Sequence, residues 1–278
     1  MSRQCQPRID GLRAGLALLA VLALPAAARE YSVEFGAGPP SHSGFLQTPA
    51  GGIPGTASPE RPTLDEIDLD GGGYRWLGVR VDFRRGVDSP GQELEPRLRL
   101  RFRMRYTAVG DEATAVLDDA FAIRGGVFGV GDSIRSRVSF DDLTLTFGAV
   151  FDLTPSLSAE LGGEIDWTAF DFTMVGEHHR SERAYHVNTV GVAGAVSRNL
   201  GNAWHLDTRL AASPAVDGTG SRYTAEARLR RDLSRRVSVA LGARIEEFRY
   251  DDEHKQALPN RLKVRRRVAP TASVRVRL

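Results

Sequence analysis

Arg97 to Tyr106 reads RLRLRFRMRY, ten residues in which arginine alternates with an apolar or aromatic residue without a break. Leu98, Leu100, Phe102, Met104 and Tyr106 fall on one face, and Arg97, Arg99, Arg101, Arg103 and Arg105 on the other. A period of two belongs to a β-strand, because successive side chains point to opposite sides of the pleat. Ten residues is also the length of a tilted strand that crosses a bilayer. The chain must therefore offer one face an apolar medium and the other a place for five cations.

The same period recurs along the chain. Leu77, Val79, Val81 and Phe83 oppose Arg80 and Asp82; Leu157, Ala159, Leu161, Gly163, Ile165 and Trp167 oppose Ser158, Glu160, Glu164 and Asp166. Val237, Val239, Leu241, Ala243 and Ile245 oppose Ser238, Arg244 and Glu246, and the last strand sets Val268, Ala272, Val274, Val276 and Leu278 against Arg267, Thr271, Ser273, Arg275 and Arg277. Residues 184–200 have two faces that are mostly apolar or small, and their direction stays open. This predicts ten strands, roughly 30–36, 74–85, 95–107, 136–152, 156–174, 184–199, 203–213, 221–232, 236–250 and 263–278. Short turns near 153–155, 200–202 and 233–235 alternate with long links at 37–73 and 108–135, the asymmetry of a transmembrane barrel. Aromatics near strand ends suggest girdles: Tyr74, Trp76, Tyr106, Trp167, Tyr185, Tyr223, Phe248 and Tyr250 at one rim, and Phe83, Phe151 and Trp204 at the other. Tyr74, Trp76, Phe248 and Tyr250 break the face parity of their strands, which is read as bulges or strand ends above the lipid. A soluble all-β sandwich would alternate too, but would not need an apolar outer band on nearly every strand.

The first 28 residues have a different character. Arg3, Arg8 and Arg13 precede the apolar run Ala14–Leu24, and Ala26-Ala27-Ala28 ends on an A-x-A pattern before Arg29. That is the form of a cleaved secretory signal peptide, too short in its apolar part to span a membrane as a helix. Removing it takes three arginines and one aspartate from 37 basic and 35 acidic residues, leaving 34 of each, so the basic balance of the whole chain is no argument for nucleic-acid binding. The one cysteine, Cys5, leaves with it, so disulfides cannot hold residues 29–278. No later apolar stretch approaches 18 residues; insertion must use strands, and only a closed barrel satisfies their backbone groups in lipid. The expected architecture is all-β: a single transmembrane antiparallel barrel of about ten strands over 29–278.

The signal peptide, the alternating strands and the closing Ala272-x-Val274-x-Val276-x-Leu278 resemble the small outer-membrane β-barrel proteins of Gram-negative bacteria, across nearly the whole chain after residue 28. That class usually ends on Phe or Trp where this chain has Leu278. The resemblance implies a place in the cell outer membrane, contact with its lipids and lipopolysaccharide, and recognition of the C-terminal strand by the barrel-assembly machinery. Gly44 to Ile67 resembles a segment of uncharacterised exported barrel proteins and implies no activity.

Two features could carry function. Alternate residues on a strand lie about 7 Å apart. Neighbouring guanidiniums in the arginine row then repel by about 2.4 kcal/mol at an effective dielectric of 20. Counter-charges are required, and Asp82, Asp142, Glu160, Glu164, Asp166, Glu226 and Glu246 have the inward parity to supply them, with Arg228, Arg244 and Arg275 joining the same network. The result is either a lumen filled by ion pairs or a basic stripe that prefers anions. The second feature is the Gly/Pro/Ser-rich segment 37–73, an external loop or a plug in the barrel mouth, with a capping box at Thr63-Leu64-Asp65-Glu66. Asp65, Asp68 and Asp70 lack the spacing of a calcium loop, and no metal or cofactor is expected. No catalytic motif stands out: Gly126–Gly131 is not a phosphate loop and no G-x-S-x-G occurs. His205, Asp251, Asp252 and His254 are the candidates for acid–His chemistry at the outer rim. The reading is a non-enzymatic barrel with an envelope or surface-interaction role. The alternatives are an outer-membrane enzyme acting on lipid or peptide, and a narrow anion-preferring channel.

Overall fold

The computed structural model describes residues 29–47, 60–84, 98–123, 126–253 and 260–278; the segment read as a signal peptide, Arg97 and His254 lie outside them. The strands are β1 (Arg29–Gly38), β2 (Pro40–Gln47), β3 (Gly73–Arg84), β4 (Leu98–Val116), β5 (Phe121–Ile123), β6 (Gly126–Phe128), β7 (Ser133–Thr154), β8 (Leu157–Val175), β9 (Arg180–Gly201), β10 (Trp204–Pro214), β11 (Gly220–Asp232), β12 (Val237–Asp251) and β13 (Arg261–Arg277). All but β5 and β6 form one antiparallel sheet, and β1 pairs with both β3 and β13, which closes it. β2 continues β1 past Pro39 and pairs with the far half of β13, so the two serve as one bent wall strand and the closed wall has ten. The end with the termini and the tight connections β7–β8, β9–β10 and β11–β12 is called here the turn end, and the other the loop end.

The wall is taller than the sequence predicts. β4 does not stop near 107 but stays paired with β7 out to Val116↔Ser133, so 108–116 and 133–135 of the expected 108–135 loop belong to the wall. Likewise 37–73 is not irregular throughout, since β2 occupies Pro40–Gln47. β9, whose direction was open, alternates cleanly, with Tyr185, Val187, Thr189 and Ala193 inside.

Outside, Phe35, Leu77, Leu100, Phe147, Leu161, Val192, Leu210, Leu229 and Leu241 are exposed on successive wall strands. An apolar girdle around the full circumference far exceeds the patches that soluble proteins leave bare, and it is a surface for lipid.

Inside, the composition changes with height. The inner face of β8 runs Ser158, Glu160, Glu164, Asp166 and Thr168, then Phe170, Phe172 and Met174; that of β7 changes at the same level from Thr146, Thr144 and Asp142 to Phe140, Val138 and Ile134. The loop half of the barrel therefore holds an apolar core, with Phe140 and Phe170 ring centroids 4.4 Å apart. This corrects the aromatic assignment. Tyr74, Trp76, Tyr185 and Phe248 are buried in that core, and Tyr250 packs on Tyr185 at 5.0 Å. The pairing of β3 with β4 and of β11 with β12 is continuous, and the one extra residue in the β12–β13 ladder is on β13, so neither β3 nor β12 is itself bulged beneath these aromatics. They hold the inward parity because the interior there is apolar, a possibility hidden by the expectation of an all-polar lumen. Tyr106, Trp167 and Tyr223 do keep the outward parity.

Two segments complete the core from the loop end. Residues 60–71 run back along β2, with Leu46 N–H bonded to Pro62 O and Leu64 N–H to Gly44 O, and bury Leu64, Ile67 and Leu69 fully. Thr63 and Glu66 cap one another around the 3₁₀ turn Asp65–Ile67: Thr63 N–H donates to the Glu66 carboxylate at 2.8 Å, and Glu66 N–H to Thr63 Oγ1 at 3.3 Å. The β5–β6 hairpin adds Phe121, Ile123 and Phe128.

Besides register shifts at the tight turns beside Trp204 and Asp152, the ladder is interrupted within β13. Gly242 pairs with Thr271 but Arg244 with Val268, so Ala269-Pro270 stand opposite the single residue Ala243. This is a β-bulge, and it accommodates a proline that could not donate to the ladder. It shifts the parity of β13 by one. Arg275, Ser273 and Thr271 point inward on the turn side, but Arg266, Val264 and Val268 do so on the loop side. Arg267, expected inside with Arg275, is outside, and Val268, expected outside, is buried. Deleting Ala269 would force Arg265 and Arg267 into the apolar core or unpair the far half of β13. The expected result is loss of the compact, heat-modifiable band on an unboiled gel; a deletant that folds as the parent does would show that the bulge does not set the face.

Candidate functional site

The arginine row lies on the inner face of β4, as its period requires, and meets carboxylates from strands across the lumen. Nearest the turn end, Arg99 pairs with Asp152 at 2.5 Å, Arg230 with Asp207 at 3.0 Å and Arg277 with Asp232 at 3.3 Å. In the middle, Arg101 bridges Asp82 at 2.5 Å and Glu160 at 2.9 Å, and Arg103 donates to Glu160 at 2.7 Å. Gly148 is what lets Glu160 reach them, because a Cβ there would meet the Glu160 side chain at 2.9 Å. Arg80 joins Asp82 at 3.2 Å, Arg209 joins Glu164, and Glu34 takes both Arg228 at 2.6 Å and Arg275 at 2.8 Å. Arg105 pairs with Glu226 at 3.0 Å and lies over the Trp76 ring at 4.1 Å, a cation–π contact. Trp76 fits because Gly36 on β1 leaves it room; a Cβ at that glycine would stand 2.7 Å from the ring.

Above this lies a drier layer. Arg222 contacts Asp166 and Glu246, each at 3.2 Å, and Asp142 at 3.5 Å. Arg266 joins Asp142 at 3.1 Å and also Glu246, which takes Arg244 at 2.9 Å. Thr144 and Thr189 hydroxyls donate to Asp166 at 2.6 and 3.1 Å. The Arg266 guanidinium lies 4.4 Å from the Phe140 ring centroid, where the ionic layer meets the apolar core.

Each arginine named in these two layers therefore has a carboxylate within 3.5 Å. Of the network predicted from sequence, Arg99, Arg101, Arg103, Arg105, Asp82, Glu160, Glu164, Asp166, Glu226, Arg228, Arg244, Glu246 and Arg275 all point inward. Arg222 and Arg266 are not among the residues predicted from sequence: Arg222 has the inward parity of Glu226, two alternations away on the same strand, whereas the parity of Arg266 is hidden by the bulge. The pairs leave a chamber of about 400 Å³ between Trp76 and the turn end, where Glu30, Arg99, His205 and Arg277 line it. Toward the loop end the buried ionic layer and the apolar core follow.

The acid–His candidates are not brought together. His205 opens β10 at the turn end, 3.4 Å from Asp232, and not at the outer rim as expected. Asp251 and Asp252 are at the loop end, the first paired with Arg261 at 3.1 Å. Asp252 accepts from Asn260 N–H at 2.6 Å, its Nδ2 at 2.8 Å and the Tyr250 hydroxyl at 3.1 Å. The desolvated Tyr250 hydroxyl, facing that carboxylate, is held protonated well above the usual tyrosine range. Asp65, Asp68 and Asp70 all point to solvent, and among the described residues no group of three His, Cys, Asp or Glu side chains is arranged to hold a metal.

A scan of protein families and a search of curated proteins give no match. Solved structures do. The outer-membrane protease OmpT from Escherichia coli aligns over 92% of this chain and 99% of its own, with TM-score 0.52 and 9% identity. The fold is that of an outer-membrane β-barrel. At that identity the likeness concerns the barrel alone. The translocator domain of the autotransporter NalP from Neisseria meningitidis covers 96% of this chain and 94% of its own, with TM-score 0.38 and 10% identity. Ail of Yersinia pestis, solved with the heparin analogue sucrose octasulfate, covers 90% and 99%, with TM-score 0.37 and 11% identity.

Proposed function

We propose that the chain is a non-enzymatic, non-conducting barrel of the Gram-negative outer membrane that acts at the envelope through its loop end. In this reading residues 1–28 direct export and are removed, β13 is handed to the barrel-assembly machinery, and the apolar girdle meets outer-membrane lipid with lipopolysaccharide around the loop end. The turn end, with both termini, faces the periplasm as in single-chain bacterial barrels.

The observation that carries the proposal is the interior. Paired arginines, then a buried ionic layer, then an apolar core that Leu64, Ile67, Phe121 and Phe128 complete, leave the loop half packed. A selective pore needs a continuous polar path, and a filled barrel serves rigidity. The gathered surface lies instead on the tall β4–β7 and β8–β9 walls and their connections.

Planar-bilayer recording of the purified, folded protein tests this. The expected trace is silent, and discrete conductance steps that scale with protein added would overturn the proposal. Intact-mass measurement of the protein recovered from outer membranes checks the export step. The expected N-terminus is Arg29, and a full-length mass would contradict it.

A further inference from the structure

Outward-facing residues of β12 and β13 are apolar from the turn end for about the length of one bilayer crossing: Val237, Val239, Leu241 and Ile245 on one, Val276, Val274 and Ala272 on the other. Then the character changes at once. Arg267 stands opposite Ile245, Arg265 opposite Glu247, and Lys263 opposite Arg249, all on the outer face. Tyr223, the girdle aromatic of β11, is level with Glu247, which marks this as the lipid–water boundary. Four cations thus surround one carboxylate. Glu247 is shared by Arg265 at 2.7 Å and by Arg249. Among the described residues no carboxylate pairs with Arg267 or Lys263. Beside this cluster an outward groove of about 770 Å³ runs over Leu161, Val192, Leu210 and Ile245 toward Arg265 and Arg267.

We infer that this groove is a binding site for a phosphorylated lipid of the leaflet at the loop end, with acyl chains on its apolar floor and the headgroup phosphate between Arg265 and Arg267. Charge decides the occupant. Arg267, a guanidinium without a carboxylate at the edge of hydrocarbon, needs an anion, Arg265 beside it can share its donors between Glu247 and a second acceptor, and guanidinium forks match phosphate oxygens in geometry. An apolar floor joined to a basic rim fits one molecule with both parts. The bulge at Ala269-Pro270 creates the site, since without it Arg265 and Arg267 would face the lumen.

The inference rests on the proposed membrane placement of the loop end, but its test uses the detergent-purified barrel and is independent of conductance. Native mass spectrometry with added lipid A should show one tightly held lipid per barrel. Arg265→Gln with Arg267→Gln should lower its occupancy by about tenfold or more, the loss of charge-assisted hydrogen bonds to phosphate. Arg137→Gln, an exposed arginine on β7, should change nothing. Dephosphorylated lipid A should bind as weakly to the parent as lipid A does to the double variant, and inorganic pyrophosphate alone should not be retained. Equal retention of the dephosphorylated lipid, or equal loss with Arg137→Gln, would overturn the site. Retention of pyrophosphate without lipid would reassign it to free phosphate. A silent bilayer with failed lipid binding removes this site alone; a conducting barrel with lipid bound removes only the proposed function.

Discussion

Glu246→Ala is expected to be the most damaging single substitution in the barrel. The Glu246 carboxylate is 2% exposed and sits among Arg222, Arg244 and Arg266, none more than 5% exposed. Removing it leaves three buried cations sharing Asp142, Asp166 and Glu226. Breaking a buried ion pair from one side costs about 3–5 kcal/mol, because the stranded charge cannot return to water. The urea midpoint for unfolding from lipid vesicles should fall by the corresponding amount. Adding Arg266→Met should restore a large part of the loss, since it removes a stranded cation while keeping its packing volume. An unchanged midpoint for the single variant would show that the ionic layer is wetter or looser than described.

Phe170→Ala is expected to come next. Phe170 is fully buried, with Phe140 at 4.4 Å, Tyr185 at 6.0 Å and Phe172 at 6.1 Å between ring centroids. Its truncation removes a ring from the centre of the packed core and should cost about 3–5 kcal/mol, transfer and cavity terms together. The same urea experiment reads it. If the loop half were an open, water-filled mouth, the ring would be half-hydrated already and its loss would cost well under half as much.

How much of this could be read from the chain depends on what each residue's parity reports. The wall is legible because alternation is strict on the side that meets lipid: Leu98 to Tyr106 admits one reading, and the strand count and closure follow from its repeats. Alternation says which residues share a face, but not what the enclosed face must be made of. Phe140, Phe170 and Phe248 alternate as faithfully as Arg101 and Glu160, yet an inward phenylalanine looks like a broken pattern when the lumen is expected to be polar. The inward residues of β7 and β8 turn apolar at one level, where Leu64, Ile67 and the β5–β6 hairpin complete the core, and these contacts lie far apart in sequence, where no local period encodes them. Arg265 to Arg267 fail for another reason. Three arginines in a row give no alternation, and only the two-against-one pairing at Ala243 decides which of them turns inward.

Spin-label accessibility reads which medium the apolar outer face of the wall meets. Residues 29–278 contain no cysteine, so single cysteines at Leu100, Phe147, Leu161 and Leu241 can each carry one nitroxide in reconstituted vesicles. At all four sites, three on the adjacent strands β4, β7 and β8 and one on β12, collisions with oxygen dissolved in the bilayer should exceed those with a water-soluble nickel chelate. Sites where the chelate dominates would place that face in water and contradict a barrel that turns its apolar side to lipid.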